Sequence, residues 1–245
     1  MEIYENERIK NAISLTNLGL NTLILKIKPG MYEYELADIF EFYGRTHSRD
    51  GLAFPTIAAA GKNATCLHYP TQDSVVKNDD LVLFDLGYQH DGYCADISRS
   101  YPVSGTYKGV QKSIYEAVLN CNKAVIEFIK PGKTIKDLQD FTINFLTNEC
   151  VRLKLMKPGD DIRKYYYHNV SHHLGLDTHD ASNRELPLQP GNIITVEPGL
   201  YFAEHNCGVR IEDDVLVTKD GSENLSIDIP KEISDIEKLF SKVRG

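Results

Sequence analysis

The stretch "FDLGYQHDGYCADISRSYPVSG" occupies residues 84–105. An apolar run, LVLF at 81–84, leads into Asp85, and a second strand-like stretch at 92–103 carries Asp96. An isolated carboxylate in an apolar interior is very costly, so acids at such positions need partners. The pattern returns later in the chain, where IITV (193–196) ends in Glu197 and GVRIEDDVLV (208–217) encloses Glu212. Arginines can serve one or two of these acids, and Arg99 and Arg210 lie close in sequence. A dinuclear cation centre would serve all four, because carboxylates chelate or bridge hard divalent ions.

Outward from these strands the chain reads as two similar halves. Residues 5–27 carry Ile9, Ile13, Leu18, Leu20, Leu23 and Leu25 at helical spacing, and Lys28-Pro29-Gly30 ends that helix. A second amphipathic helix spans 33–48, and strands are expected over 54–60 and 80–87. Helices over 108–129 and 134–152 follow, separated by Lys130-Pro131-Gly132. "LILKIKPGMYEYELADIFEF" (23–42) aligns with "AVIEFIKPGKTIKDLQDFTINF" (124–145), and each copy precedes two acid-bearing strands. Lys-Pro-Gly alone is common turn punctuation. The repeated order of helix, helix, acidic strand, acidic strand favours a duplication whose halves meet at a shared centre. With no Gly/Ser-rich linker, residues 1–245 read as one domain built of two halves.

Composition narrows the class. Apolar content of 42% and charged content of 25% are those of a soluble globular protein. A net charge of −8 without a Lys/Arg-rich block argues against nucleic acid as a partner. Five widely spaced cysteines with no CxxC give neither a disulfide framework nor a zinc knuckle, and read as buried, reduced thiols of a cytoplasmic protein. The N-terminus lacks the apolar core of a signal peptide, and no apolar run is long enough to span a bilayer, so no membrane partner is expected.

Four of the eight histidines fall within "HNVSHHLGLDTHD" (168–180). His168 and His172 stand four apart like two ligands on a zinc-protease helix. No Glu follows His168, however, and the glycine and flanking pattern suit a strand or loop. Taken singly, each candidate has a plain structural reading that outweighs a functional one. Asp85 can be a strand-end turn acid, Asp96 a partner of Arg99, Glu212 a surface strand acid and His172 a satisfied core histidine. The ordered set Asp-x10-Asp, His, Glu, Glu, with a strand at every acid, shifts that balance, and a histidine ligand favours a transition metal over Mg2+ or Ca2+.

"FDLGYQHDGYCADISRSYPVSG", "HNVSHHLGLDTHD", "TVEPGLYF" and "GVRIEDDVLVT" together resemble the successive motifs of the pita-bread metallopeptidases, in their Xaa-Pro aminopeptidase and prolidase branch. The resemblance covers essentially the whole chain. It implies an α+β pita-bread fold, with two pseudo-symmetric halves of curved antiparallel sheet around a dinuclear site and helices outside. It implies five metal ligands, Asp85, Asp96, His172, Glu197 and Glu212. Asp96 and Glu212 would bridge two divalent ions, Mn2+ first and Co2+ or Zn2+ as alternatives; Asp85 would complete one ion, His172 and Glu197 the other. Pocket histidines fall on His68, His168 and His179.

The activity so implied is removal of the N-terminal residue from a peptide with proline at its second position, through a metal-bridging hydroxide. Glu197 would act as general acid and base, and His179 and His68 would donate to the developing oxyanion. Arg210, two residues before Glu212, and Tyr201, four after Glu197, would stand behind the ligands and hold them. His173 is expected to point away from His172 and serve structure.

The chain departs from the pattern at His168-Asn169, where relatives commonly show His-Gly, and at Ala181-Ser182, where Val-Gly is frequent. It also begins where the family's catalytic domain does, so the family's N-terminal domain is expected to be absent. A prolidase acting on Xaa-Pro dipeptides is the alternative, with a metal-free pita-bread peptide-binding module behind it. Methionine aminopeptidase and creatinase-type hydrolysis fit less well. The resemblance leaves a homo-oligomer open.

Overall fold

A computed structural model describes residues 3–181 and 183–244; Ser182, in the second departure above, lies outside the described residues. The elements run α1 (Ile3–Ile24), α2 (Glu33–His47), β1 (Ile57–Ala60), β2 (Leu81–Leu86), β3 (Gln89–His90), β4 (Tyr93–Cys94), β5 (Ile97–Pro102), α3 (Gly109–Phe128) and α4 (Ile135–Arg152). They continue through β6 (Ile193–Val196), β7 (Gly199–Phe202), β8 (Cys207–Arg210), β9 (Asp213–Val217), β10 (Ser222–Asn224) and α5 (Ile233–Arg244).

The expected duplication is visible in hydrogen bonds as well as in order. Gly30 and Gly132, which close the two Lys-Pro-Gly turns, have φ of 91° and 89°, a left-handed conformation that glycine adopts without a Cβ clash. The amide of Gly30 donates to Val76 O and that of Val76 to Met31 O; the amide of Gly132 donates to Leu188 O and that of Leu188 to Lys133 O. The next helix opens in both halves with a capping box, in which the Glu35 carboxylate accepts from the Tyr32 amide and the Asp137 carboxylate from the Thr134 amide. Asp85 then follows Val76 at the same interval as Glu197 follows Leu188.

Each half contributes a three-stranded antiparallel sheet, β1-β2-β5 in one and β10-β9-β6 in the other, with β3-β4 and β7-β8 as two-stranded ribbons. The helices bury one stripe each. In α1 that stripe is Ile9, Ala12, Ile13, Thr16, Leu20, Leu23 and Ile24. Leu18 and Leu25, expected on it, are 51% and 52% exposed, because Leu18 falls off the 3.6-residue period and Leu25 lies beyond the helix end. The helix stops at Ile24 rather than 27, and a turn closed by Lys26 N to Leu23 O at 2.9 Å leads from it toward Lys28-Pro29. Strand β1 begins at Ile57 rather than 54, and Pro55, which has no amide to give a ladder, lines a cavity instead.

Two expected continuous strands are each broken at their acid. β4 pairs with β3 and β5 with β2, and Ala95-Asp96 lie at the change of partner. Likewise β8 pairs with β7 and β9 with β6, and Ile211-Glu212 lie at that change. The freed backbone then bonds across the halves: the Glu212 amide donates to Ser98 O at 3.0 Å, and the Asp96 amide to Asp214 Oδ2 at 3.1 Å.

The five cysteines are free, but Cys66 is exposed rather than buried like the other four. Among the described residues no helix is long and apolar enough to cross a membrane.

Candidate metal centre

The histidine-rich segment is extended, as its composition suggested. It runs beside β6 through bonds from Leu174 N to Ile193 O, Thr195 N to His172 O and Glu197 N to Val170 O. These bonds set His172 and Glu197 side by side, with His172 Nε2 at 3.6 Å from Glu197 Oε1 and 3.3 Å from Asp96 Oδ2. Glu197 itself lies one residue beyond the last ladder pair, Val196 with Asp213, and Glu212 flanks that pair on the facing strand.

All five expected ligands, Asp85, Asp96, His172, Glu197 and Glu212, line one cavity of about 870 Å³ together with His68, His168 and His179. Asp96, His172 and Glu212 each offer a ligand atom, and these atoms lie within 4.8 Å of one another. His68 and His179 stand exposed at the cavity wall, and the His179 ring packs edge-on to His172 with centroids 4.4 Å apart. His173 lies outside the cavity lining; its strand-like bridges to Asp180 and Ile194 give it a structural setting.

The electrostatics are those of a site built for positive charge. Asp96, Glu197 and Glu212 are all held well above the ordinary carboxylate range, first by burial. Repulsion adds to this: Asp85 and Glu197 act on Asp96, Glu212 on Glu197, and Asp96 on Glu212. Among the described residues, Arg210 is the one arginine or lysine within ion-pair distance of any of the four acids. Its Nη2 donates to Asp85 Oδ2 at 2.5 Å, its Nε to Ser98 Oγ at 2.7 Å and its Nη1 to Tyr201 Oη at 3.2 Å. Ser98 Oγ in turn donates to Glu212 Oε2 at 2.6 Å. Asp85 Oδ1 and Asp214 Oδ1 are buried with no hydrogen-bond partner. One guanidinium against four crowded carboxylates, with an orphaned carboxylate oxygen facing them, leaves a deficit that divalent cations fill. The donor set of carboxylates and one imidazole fits a hard or borderline ion.

Arg99, expected near Asp96, does something else. It is fully buried, and its Nη2 meets Asp213 Oδ1 at 2.7 Å rather than Asp96. Being always charged, Arg99 needs a full anion, and Asp213 lies against it across the sheet junction.

Tyr201 links two parts of the site, since its hydroxyl meets His168 Nε2 at 2.8 Å and accepts from Arg210. His168 Nδ1 lies 2.9 Å from Asn169 O and 3.6 Å from Glu197 Oε2. A carbonyl can only accept, so Nδ1 carries the proton and Nε2 accepts from the tyrosine. Burial first, and Arg210 next, push His168 down to about 3, so it stays neutral. Gly199 makes room for this pair: a Cβ there would sit 2.5 Å from Tyr201 Oη and 3.1 Å from His168 Nε2. Gly199→Ala is therefore expected to destabilise the fold by about 1–3 kcal/mol through overpacking, read as a lower urea midpoint.

Ser98 and Asp214 escaped sequence reasoning. Ser98 stands two residues after Asp96 in a stretch that the sequence reads as one strand, so period-2 alternation was a usable signal. Asp214 stands likewise two residues after Glu212, but its bond to the Asp96 amide crosses between the halves, which residue spacing does not show.

The chain matches the model of metallopeptidase family M24 over residues 7–219. It is 36% identical over 254 residues to rat Xaa-Pro aminopeptidase 3, covering 97% of this chain and 50% of that protein. To the Xaa-Pro aminopeptidase of Haemophilus influenzae it is 36% identical over 253 residues, covering 95% and 59%. Its fold matches zinc-substituted Escherichia coli aminopeptidase P in complex with product, with a TM-score of 0.95 at 31% identity, covering 100% of this chain and 60% of that one. The expected pita-bread fold is thereby shown. The chain spans about half the length of the rat protein it matches.

Proposed function

The chain belongs to metallopeptidase family M24, and on that premise we propose that its 245 residues act as one catalytic domain of a cytoplasmic, metal-dependent exopeptidase that hydrolyses the bond before proline at a peptide's N-terminus. The observation that carries this reading is the convergence of four carboxylates and His172 from both halves on one cavity, where among the described residues Arg210 is the one arginine or lysine within ion-pair distance of those acids. The names of its relatives support the substrate class.

Asp85, Asp96, His172, Glu197 and Glu212 would hold two divalent ions, Mn2+ in our reading. Such ions supply an activated water and polarise the scissile carbonyl. The remaining chemistry falls to the chain. Glu197, which lines the cavity beside His172, is suited by its place to accept a proton from the attacking water and return it to the leaving nitrogen. His179 is held below its usual value, first by burial and then by His172 and His68, so near neutral pH it offers an uncharged N–H. In our reading His179 and His68 donate it to the carbonyl oxygen as negative charge grows there. Arg210 and Tyr201 hold Asp85 and His168, and neutral His168 borders the substrate. Phe54, Pro55, Ile57, Leu67, Tyr69 and Pro70 give the cavity an apolar wall. A pyrrolidine ring has no N–H to satisfy there.

The test is hydrolysis by Mn2+-loaded protein of Xaa-Pro-Xaa tripeptides, Xaa-Pro dipeptides and Xaa-Ala-Xaa controls. Cleavage of the proline tripeptides alone is expected. Cleavage of the dipeptides alone would establish the prolidase reading in its place, and cleavage of none would remove the peptidase reading.

A further inference from the structure

A second polar cluster lies behind the carboxylates, and none of its members lines the cavity. Its centre is Asn122 on α3, which is fully buried. Asn122 Nδ2 donates to Val196 O at 3.1 Å and to Ile211 O at 3.3 Å. Those are the residues immediately before Glu197 and Glu212. Asn122 Oδ1 accepts from Lys231 Nζ at 2.7 Å. An ammonium can only donate, so this bond fixes which end of the amide faces the two carbonyls.

Lys231 is anchored in turn. Its Nζ also donates to Asp213 Oδ2, while Asp213 Oδ1 accepts from Arg99 at 2.7 Å. Arg99 Nη1 reaches on to Glu212 O at 2.6 Å. Burial alone would raise Asp213, but Arg99 and Lys231 outweigh it and hold that carboxyl below its ordinary value.

We propose that Asn122, oriented by Lys231, is a positioning residue of the metal centre, tying together the two strand ends that carry Glu197 and Glu212. The inference rests on the metallopeptidase reading above. Its physical ground is that both glutamates lie in the gap between the last β6–β9 pair, Val196 with Asp213, and the first β7–β8 pair, Gly199 with Arg210, a gap spanned by one long backbone bond from Ile211 N to Pro198 O at 3.4 Å. A side chain with two donors on one nitrogen can hold two carbonyls from different strands at once. A leucine of similar size would leave both carbonyls and a buried ammonium without that partner.

The experiment uses the full chain, stripped by chelator, as wild type, Asn122→Leu, Asn122→Ser and Thr142→Val. Thr142 is an internal control, since its buried hydroxyl bonds only to Leu138 O of its own helix. Mn2+ affinity is read from the EPR signal of the free ion, ligand geometry from the visible d–d absorption of bound Co2+, and stability from the urea midpoint. Both Asn122 variants are expected to bind Mn2+ about 10- to 100-fold more weakly, as losses around ligands generally do, and to alter the Co2+ band. Thr142→Val is expected to change neither. If Asn122→Leu does not fold, Asn122→Ser, which is smaller and keeps one donor, decides alone. Unchanged Mn2+ affinity and Co2+ spectrum in the folded variants, or equal weakening in Thr142→Val, overturns the proposal. A wild-type chain that takes up neither ion overturns the reading of the site, and the proposal with it.

Discussion

Asp96→Ala is expected to abolish binding of the ion pair and to lower hydrolysis of a Xaa-Pro peptide by more than about 100-fold, beyond the upper end of what loss of an outer partner of a metal ligand costs. Asp96 is 4% exposed and lies within reach of both His172 and Glu212, so no neighbour can take its place. Its backbone amide is already held by Asp214, and the truncated side chain cannot be replaced by a shift of the strand. Metal content of the purified variant, measured beside kcat/KM, checks the result. Full activity or full metal content in the folded variant would remove Asp96 from the site.

The same carboxylate is expected to work against stability when no metal is bound. In the metal-free fold Asp96, Glu197 and Glu212 are raised, so each keeps its proton at pH values where the unfolded chain has already lost it. The native state then binds more protons than the unfolded state. These three groups therefore make stability fall as pH rises from about 4 toward their raised values, the loss being complete above them. Asp96→Asn, stripped of metal, should consequently unfold at a higher temperature than stripped wild type at pH 8, with the gap closing toward pH 4.

Divalent ions should reverse the order. One ion at about 100 times its Kd adds about 2.7 kcal/mol, or about 5–11 °C in melting temperature for a chain of this length. Wild type should gain that rise with Mn2+ and Asp96→Asn should not. Calorimetry with and without chelator at the two pH values reads both signs. A stripped variant less stable than wild type at pH 8, or equal gains with Mn2+, would contradict the picture of mutually repelling acids.

The local code for this site is unusually direct. Asp85, Asp96, Glu197 and Glu212 stood out because acids inside apolar runs conflict with burial, and the structure gathers them on one cavity. That the histidine segment is no helix followed from Gly175, its flanking pattern and the missing Glu, which left a strand or loop. Helices α2, α3 and α4 could be bounded within a residue or two, since caps and Lys-Pro-Gly turns mark them. The breaks at Asp96 and Glu212 were not legible, because a change of strand partner leaves no mark in a β-branched, apolar pattern. Short strands such as β10 fall below any periodic signal, whereas α5, with Ile236 and Phe240 buried on one stripe, carried one that could have been read.

The sequence by itself therefore determined the inventory: two repeated halves, four acids in or beside apolar strands, and one histidine expected to join them. Those are properties of order, period and polarity along the chain. Only the tertiary structure decided who neutralises whom. Arg99 belongs to Asp213, Arg210 to Asp85, and Asn122 to the carbonyls before the two glutamates. Each of these bonds joins residues far apart in the chain, and charge pairing depends on distance in space, which residue spacing does not encode.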